Sequence, residues 1–195
     1  MISGNQDISV LILAAGLSTR MKTTKALLKF DENRRFIDKI VEEYKNFGCR
    51  SIIVVLGEKI KNEIIFSENL KFVLNNEPEK GRIHSLKCAL KAVEDEQFCF
   101  IQNIDNPFVN QETLKLLYKT RLDADCIIPE YKKKGGHPIL INRNIIDSIR
   151  TTADIDIPLN EYLKKYKLET IECNDASILI NINDKESYNK YFKNE

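Results

Sequence analysis

Short, uninterrupted apolar runs, each followed by a segment of helical periodicity, constrain this chain more than any other feature. Residues 8–14 read Ile-Ser-Val-Leu-Ile-Leu-Ala, residues 51–56 Ser-Ile-Ile-Val-Val-Leu, and residues 98–104 Phe-Cys-Phe-Ile-Gln-Asn-Ile. These runs do not alternate apolar with polar, so they read as strands covered on both faces. Between the first two, Phe36, Ile37, Ile40, Val41 and Tyr44 recur at helical spacing, and Gly48 is placed to end that helix. Further strands are predicted over 71–74, 124–129, 138–141 and 177–182. Further helices are predicted over 85–93, 112–120 behind an Asn110 cap, 143–149, 159–166 and 185–192. The expected architecture is α/β: one domain over residues 1–195, in three layers, with a mostly parallel sheet between helices on both faces. The run Lys132-Lys133-Lys134-Gly135-Gly136 reads as a mobile loop within that domain.

Several function classes fall away. The 195 residues suit one well-buried core and are short for two. Lys plus Arg total 30 against 29 Asp plus Glu, so no one-sided basic surface for nucleic acid is expected. No stretch approaches the roughly 20 apolar residues of a membrane helix. The first apolar run has no basic region before it, so neither a signal peptide nor a membrane is expected and the location is read as cytoplasmic. The five cysteines are scattered without a C-x-x-C spacing and read as reduced thiols; with two histidines they suggest no zinc site.

In sheets of this kind ligands collect at the carboxyl ends of the strands, so the residues after each run matter most. The first run leads into Leu13-Ala14-Ala15-Gly16-Leu17-Ser18-Thr19-Arg20-Met21, with Lys25 soon after. Small residues let the backbone approach a ligand, and the loop amides can face phosphate oxygens. Arg20 can grip a phosphate bidentately, and Lys25 adds a point charge. The spacing is neither G-x-G-x-x-G nor a P-loop, which excludes a dinucleotide oxidoreductase and a P-loop NTPase. The run 98–104 ends in Asp105-Asn106-Pro107-Phe108-Val109, and the run 177–182 in Asn181-Ile182-Asn183-Asp184. Two more segments stand at run ends or helix starts: Lys80-Gly81-Arg82-Ile83-His84-Ser85-Leu86 and Gly135-Gly136-His137-Pro138.

Taken in order, these segments resemble the molybdenum cofactor nucleotidyltransferase-like family, small NTP transferases of the glycosyltransferase-A type. The resemblance spans roughly residues 8 to 190. It departs from the family at Lys22, where a glycine is usual, and after Asn183. It implies the nucleotide-diphospho-sugar transferase form of a Rossmann-like sheet. It also implies transfer of NMP from an NTP to a phosphorylated small acceptor, by attack of an acceptor phosphate oxygen on the α-phosphorus with release of pyrophosphate. Arg20, Lys25 and Asp105 would then be catalytic. Leu13, Ala14, Ala15, Gly16 and Ser85 would frame the nucleotide, and Arg82 and His84 stand beside it. Gly136 and His137 would meet the acceptor, and Asp105 with Asn181 would hold magnesium. Ala-Ala-Gly resembles the cytidylyl members, and Gly-His-Pro the molybdopterin-type members, so CTP and molybdopterin are the favoured pair; Asn-Ile-Asn leans towards GTP. A transient contact with a molybdoenzyme or a cofactor-insertion protein also follows from the resemblance. The alternatives are a relative acting on a sugar phosphate, phosphocholine or methylerythritol phosphate, and a catalytically inactive nucleotide-binding domain.

Overall fold

Strand β1 (Asn5–Leu13) runs parallel to both β2 (Cys49–Leu56) and β4 (Phe98–Asn103), and β3 (Leu70–Leu74) extends this set beyond β2. The computed structural model describes residues 5–16, 21, 24–58, 70–153 and 157–192. Next to β4 lies β7 (Ile139–Asn142), antiparallel to β4 on one side and to β5 (Cys126–Tyr131) on the other. The short β6 (Lys134–Gly135) and β8 (Leu168–Glu172) both pair with β5, giving one eight-stranded mixed sheet, mostly parallel.

The unbroken hydrophobicity of the central strands follows from two cores. Val10, Ile12, Val54 and Phe100 face one core with α1 (Phe36–Phe47) and α3 (Gln111–Lys119), and α6 (Lys185–Phe192) packs at its edge through Tyr188 and Phe192. Leu11, Ile53, Val55, Cys99 and Ile101 face the other, against α2 (Gly81–Leu90), α4 (Arg143–Thr151) and α5 (Leu159–Leu163). Neighbouring residues of a strand point to opposite faces, so both sets must be apolar. Each fully buried Ile or Phe contributes about 1.5–3 kcal/mol on leaving water.

Local signals set several boundaries. Gly48 ends α1 at φ 90°, in the left-handed region that a Cβ disfavours. The Asn110 side chain accepts from Thr113 N at 3.0 Å and caps α3, as predicted.

Three expectations are corrected. Residues 177–182 do not form a strand. Ala176–Leu179 makes a 3-10 turn, and the carbonyls of this segment go to the Asn106 side chain and to His137 N instead of a ladder. The lysine run is not a mobile loop either. Glu130 pairs with Gly135 and Tyr131 with Lys134, leaving Lys132 and Lys133 as a two-residue hairpin turn at φ 48° and 63°. Positive φ at both central positions matches the right-handed twist of the flanking strands. Finally, β8 was not expected; four of its five residues, Leu-Glu-Thr-Ile-Glu, are exposed, so it lacks the continuous apolar run that marks the central strands.

Candidate active site

Leu13 at the end of β1 pairs with Asn103 at the end of β4, and Ile104 N donates to the Leu13 carbonyl at 3.2 Å. On the other side Ala14 N donates to the Val55 carbonyl at 2.9 Å. These strand ends floor a cavity of about 380 Å³, within the range of small-molecule sites. Leu13, Ala15, Gly16 and Lys25 line it from the β1 side. Pro78, Gly81, Arg82 and Ser85 line it from the start of α2, and Asn103, Ile104, Asp105 and Asn183 from between.

The chemistry concentrates on Lys25. The residue opens a 3-10 turn, Lys25–Leu27, that is anchored by the buried Ala26. Its Nζ donates to Asp105 Oδ2 at 3.2 Å and to Asn183 Oδ1 at 2.6 Å. Both charged side chains are largely sheltered, at 14% and 23% exposure, so the pair feels less solvent screening than a surface ion pair.

Asn183 reaches this point through a chain of contacts. Asn106, fully buried beside Asp105, sends its Nδ2 to the carbonyls of Ser177, Ile178 and Ile180 at 3.2, 3.3 and 2.7 Å. Ile182 N then donates to the Asp105 carbonyl at 2.7 Å. Gln102, itself held by the Tyr44 hydroxyl at 2.9 Å, donates to the Asn106 carbonyl at 2.8 Å. The segment before α6 is thereby fastened to the end of β4.

On the α2 wall, the buried Asn75 donates from Nδ2 to Ser85 Oγ at 2.8 Å, which orients the predicted Ser85 at the cavity. Arg82 Nη2 donates to Asn103 Oδ1, while its Nε is buried without a partner among the described residues. Burial pulls the Arg82 guanidinium below its ordinary pKa, against the opposing effect of Asp105. His137 Nδ1 is likewise buried and unpartnered. Burial pushes its imidazole down to about 4, the charge of Arg82 adds to this, and Asp105 opposes it.

Of the residues named from the sequence, the structure brings Leu13, Ala15, Gly16, Lys25, Ser85 and Asp105 together at one cavity. Arg20, with Lys22 and residues 17–19, lies outside the described residues. The other predicted residues sit elsewhere. Asn181 does not meet Asp105: it is exposed and returns its amide to the Leu179 carbonyl at 3.3 Å, a local side-chain bond. Asn183, the second asparagine of the motif, stands there instead. Ala14 is buried in the core, with its main chain on Val55. Gly136 is packed against Ile178 and does not border the cavity; a Cβ there would lie 2.6 Å from the Ile178 carbonyl oxygen. His137 does not border it either, although its electrostatic environment includes Arg82 and Asp105. His84 turns to Cys88 at 3.6 Å and Glu77 at 3.7 Å. Sequence reading missed Asn75 and Asn103, whose roles depend on what the fold sets beside them.

Among the described residues no group of three or more His, Cys, Asp or Glu could hold a metal, and no helix is long and apolar enough to cross a membrane. The oxygens of Asp105 and Asn183 both accept from the Lys25 ammonium at the cavity.

Comparison with known proteins shows the family and the fold. The pattern of the family described as "MobA-like NTP transferase domain" matches residues 10–170. The molybdenum cofactor cytidylyltransferase of Escherichia coli (strain K12) is 28% identical over 138 residues, 70% of this chain and 70% of that protein. A probable molybdenum cofactor guanylyltransferase of Clostridium perfringens (strain SM101 / Type A) is 28% identical over 127 residues, 65% of this chain and 61% of that protein. Among solved structures, Rv0371c from Mycobacterium tuberculosis H37Rv superposes with a TM-score of 0.84 at 18% identity, covering 97% of this chain and 98% of that one, which shows a shared fold.

Proposed function

The chain belongs to the MobA-like NTP transferase family, and on that premise we propose that it moves a nucleoside monophosphate from CTP to molybdopterin, releasing pyrophosphate. The observation that carries this reading is the convergence of Lys25, Asp105 and Asn183 on one cavity at the carboxyl ends of β1 and β4.

Both reactants are anions, so their repulsion is the main obstacle. Unit charges about 4 Å apart interact by around 4 kcal/mol at an effective dielectric of 20. Lys25, held at the cavity by an ion pair, can exchange Asp105 for a phosphate oxygen when the nucleotide enters. Arg20 is assigned to the same triphosphate. Ala15, Gly16 and Ser85 frame the base and sugar. Ala15 carries a methyl where glycine would leave more room, which favours the smaller pyrimidine.

Magnesium fits the donor set. Asp105 and Asn183 present one anionic and one neutral hard oxygen, already turned towards a cation, and magnesium typically takes one or two carboxylates plus substrate phosphates. Asp105 and Asn183 would hold it, and it would supply charge neutralisation at the reacting phosphoryl oxygens. The attacking acceptor oxygen is already ionised, so no general base is required. His137, neutral at physiological pH, lies outside the cavity lining and is given no contact with the acceptor. Catalysis then rests on positioning and charge stabilisation, without a covalent enzyme intermediate. The five free cysteines suit a reducing cytoplasm.

The test is pyrophosphate release with CTP, GTP, UTP and ATP, each crossed with molybdopterin and a panel of phosphorylated acceptors, with and without magnesium. Release with CTP and molybdopterin, dependent on magnesium, is expected. No release in any combination would sink the reading and leave an inactive nucleotide-binding domain.

A further inference from the structure

The charges around the cavity are unequal in kind. Among the described residues lining it, Lys25 and Arg82 are cations and Asp105 is the one carboxylate. Lys25 and Asp105 neutralise each other at 3.2 Å. Among the described residues Arg82 makes no ion pair, and Asp105 acts on it only through space. Its described bond goes to the neutral amide of Asn103, and its buried Nε has no acceptor among the described residues. A guanidinium carries five N–H donors in a rigid fork, and leaving them unmatched in a sheltered site is unfavourable. Arg82 is also fixed in place, since it stands in the first turn of α2 beside Gly81, and the next residue, Ile83, is buried in the core.

We propose that Arg82 is a substrate-binding residue that receives a phosphate oxygen in the cavity and supplies its net positive charge. The anion is a phosphate group, brought either by the nucleotide or by the acceptor. This rests on the nucleotidyltransferase reading and adds to it a second cation, on the α2 side of the cavity. Asn103 acts as the positioning residue, orienting the guanidinium fork before a ligand arrives. With Lys25 on the β1 side and Arg82 on the α2 side, two phosphate groups can be held at once without sharing a cation. That is what transfer between two phosphorylated molecules requires.

The test is calorimetric titration of the full chain, as wild type, Arg82→Met and Arg82→Lys. CTP with magnesium is titrated first, and inorganic phosphate is then titrated into protein saturated with pyrophosphate and magnesium. Arg82→Met is expected to lose about 10- to 100-fold in affinity in one of the two titrations, the range for a charge-assisted hydrogen bond. Arg82→Lys is expected to recover part of that loss. A loss in the first titration assigns Arg82 to the nucleotide, and a loss in the second to the acceptor. Equal affinities of wild type and Arg82→Met in both titrations would overturn the proposal while leaving nucleotide binding intact. Absence of binding by the wild type in both would overturn the functional reading itself. Should Arg82→Met fail to fold, as judged by circular dichroism, Arg82→Gln takes its place, since it keeps the polar stem and removes the charge.

Discussion

The main-chain N–H of Ile182 donates to the carbonyl of Asp105 at 2.7 Å, across 77 positions of sequence. This bond sets the register between the end of β4 and the segment that leads into α6. Because of it, Asn183 and not Asn181 faces the Asp105 carboxylate across Lys25.

Asn183→Ala is therefore expected to raise the magnesium concentration needed for half-maximal pyrophosphate release by about 10- to 100-fold, as losses at a metal site commonly do. Asn181→Ala is expected to behave as wild type. The reverse order in a magnesium titration would return the ligand role to Asn181.

Asp105→Ala is expected to keep the fold and abolish pyrophosphate release, because the residue's main-chain bond to Ile182 survives while its carboxylate is lost. Normal turnover in that variant would remove Asp105 from the mechanism.

Lys25→Met keeps the stem and removes the ammonium that bridges Asp105 and Asn183. A fall in kcat/KM of about 100- to 1000-fold is expected, the scale seen when one charge-stabilising donor is lost. An unchanged rate constant in steady-state kinetics would mean that Lys25 is only a salt-bridge partner.

Asn106→Leu leaves the carbonyls of Ser177, Ile178 and Ile180 without the side-chain donor that now serves them. The Ser177 and Ile178 carbonyls keep Ile180 N and His137 N, so one buried carbonyl, that of Ile180, is left unpaired and a loss of about 1–3 kcal/mol in urea unfolding is expected. A loss below about 0.5 kcal/mol, the range of an ordinary surface change, would show that Asn106 does not fasten this segment.

The His137 imidazole is held near 4 in the folded protein, below the ordinary value of 6.5. Its contribution is fully present above the unfolded value and is lost as pH falls from about 6.5 towards 4, where the unfolded chain takes up the proton first. Chemical unfolding at pH 7 and pH 5 is expected to show a smaller drop for His137→Gln than for the wild type. Equal drops would mean that His137 titrates normally.

Much of the scaffold is legible before folding is considered. The runs containing Val10, Ile53 and Phe100 mark central strands because burial on both faces leaves no polar positions. Phe36 to Phe47 marks α1 because its apolar positions recur at helical spacing and Gly48 stops it. What escapes is decided by contacts between distant parts of the chain. Ile178, Leu179 and Ile180 look like a strand locally, yet the Asn106 side chain captures their segment's carbonyls. Leu168–Glu172 is an edge strand whose polarity hides it. Gly136 reads as a residue that lets a ligand approach, whereas the close neighbour is Ile178. Lys25 and Asp105 could be named from motifs, but the second partner of Lys25, Asn183, depended on a register that no local pattern records.

Among the described residues, the reversed strand β7 is the one ladder joining β1–β4 to β5, β6 and β8. A lineage could therefore reshape the β5–β8 half through insertions or altered turns while the half bearing Lys25 and Asp105 stayed put. Such a seam confines a change in that half to one shared strand.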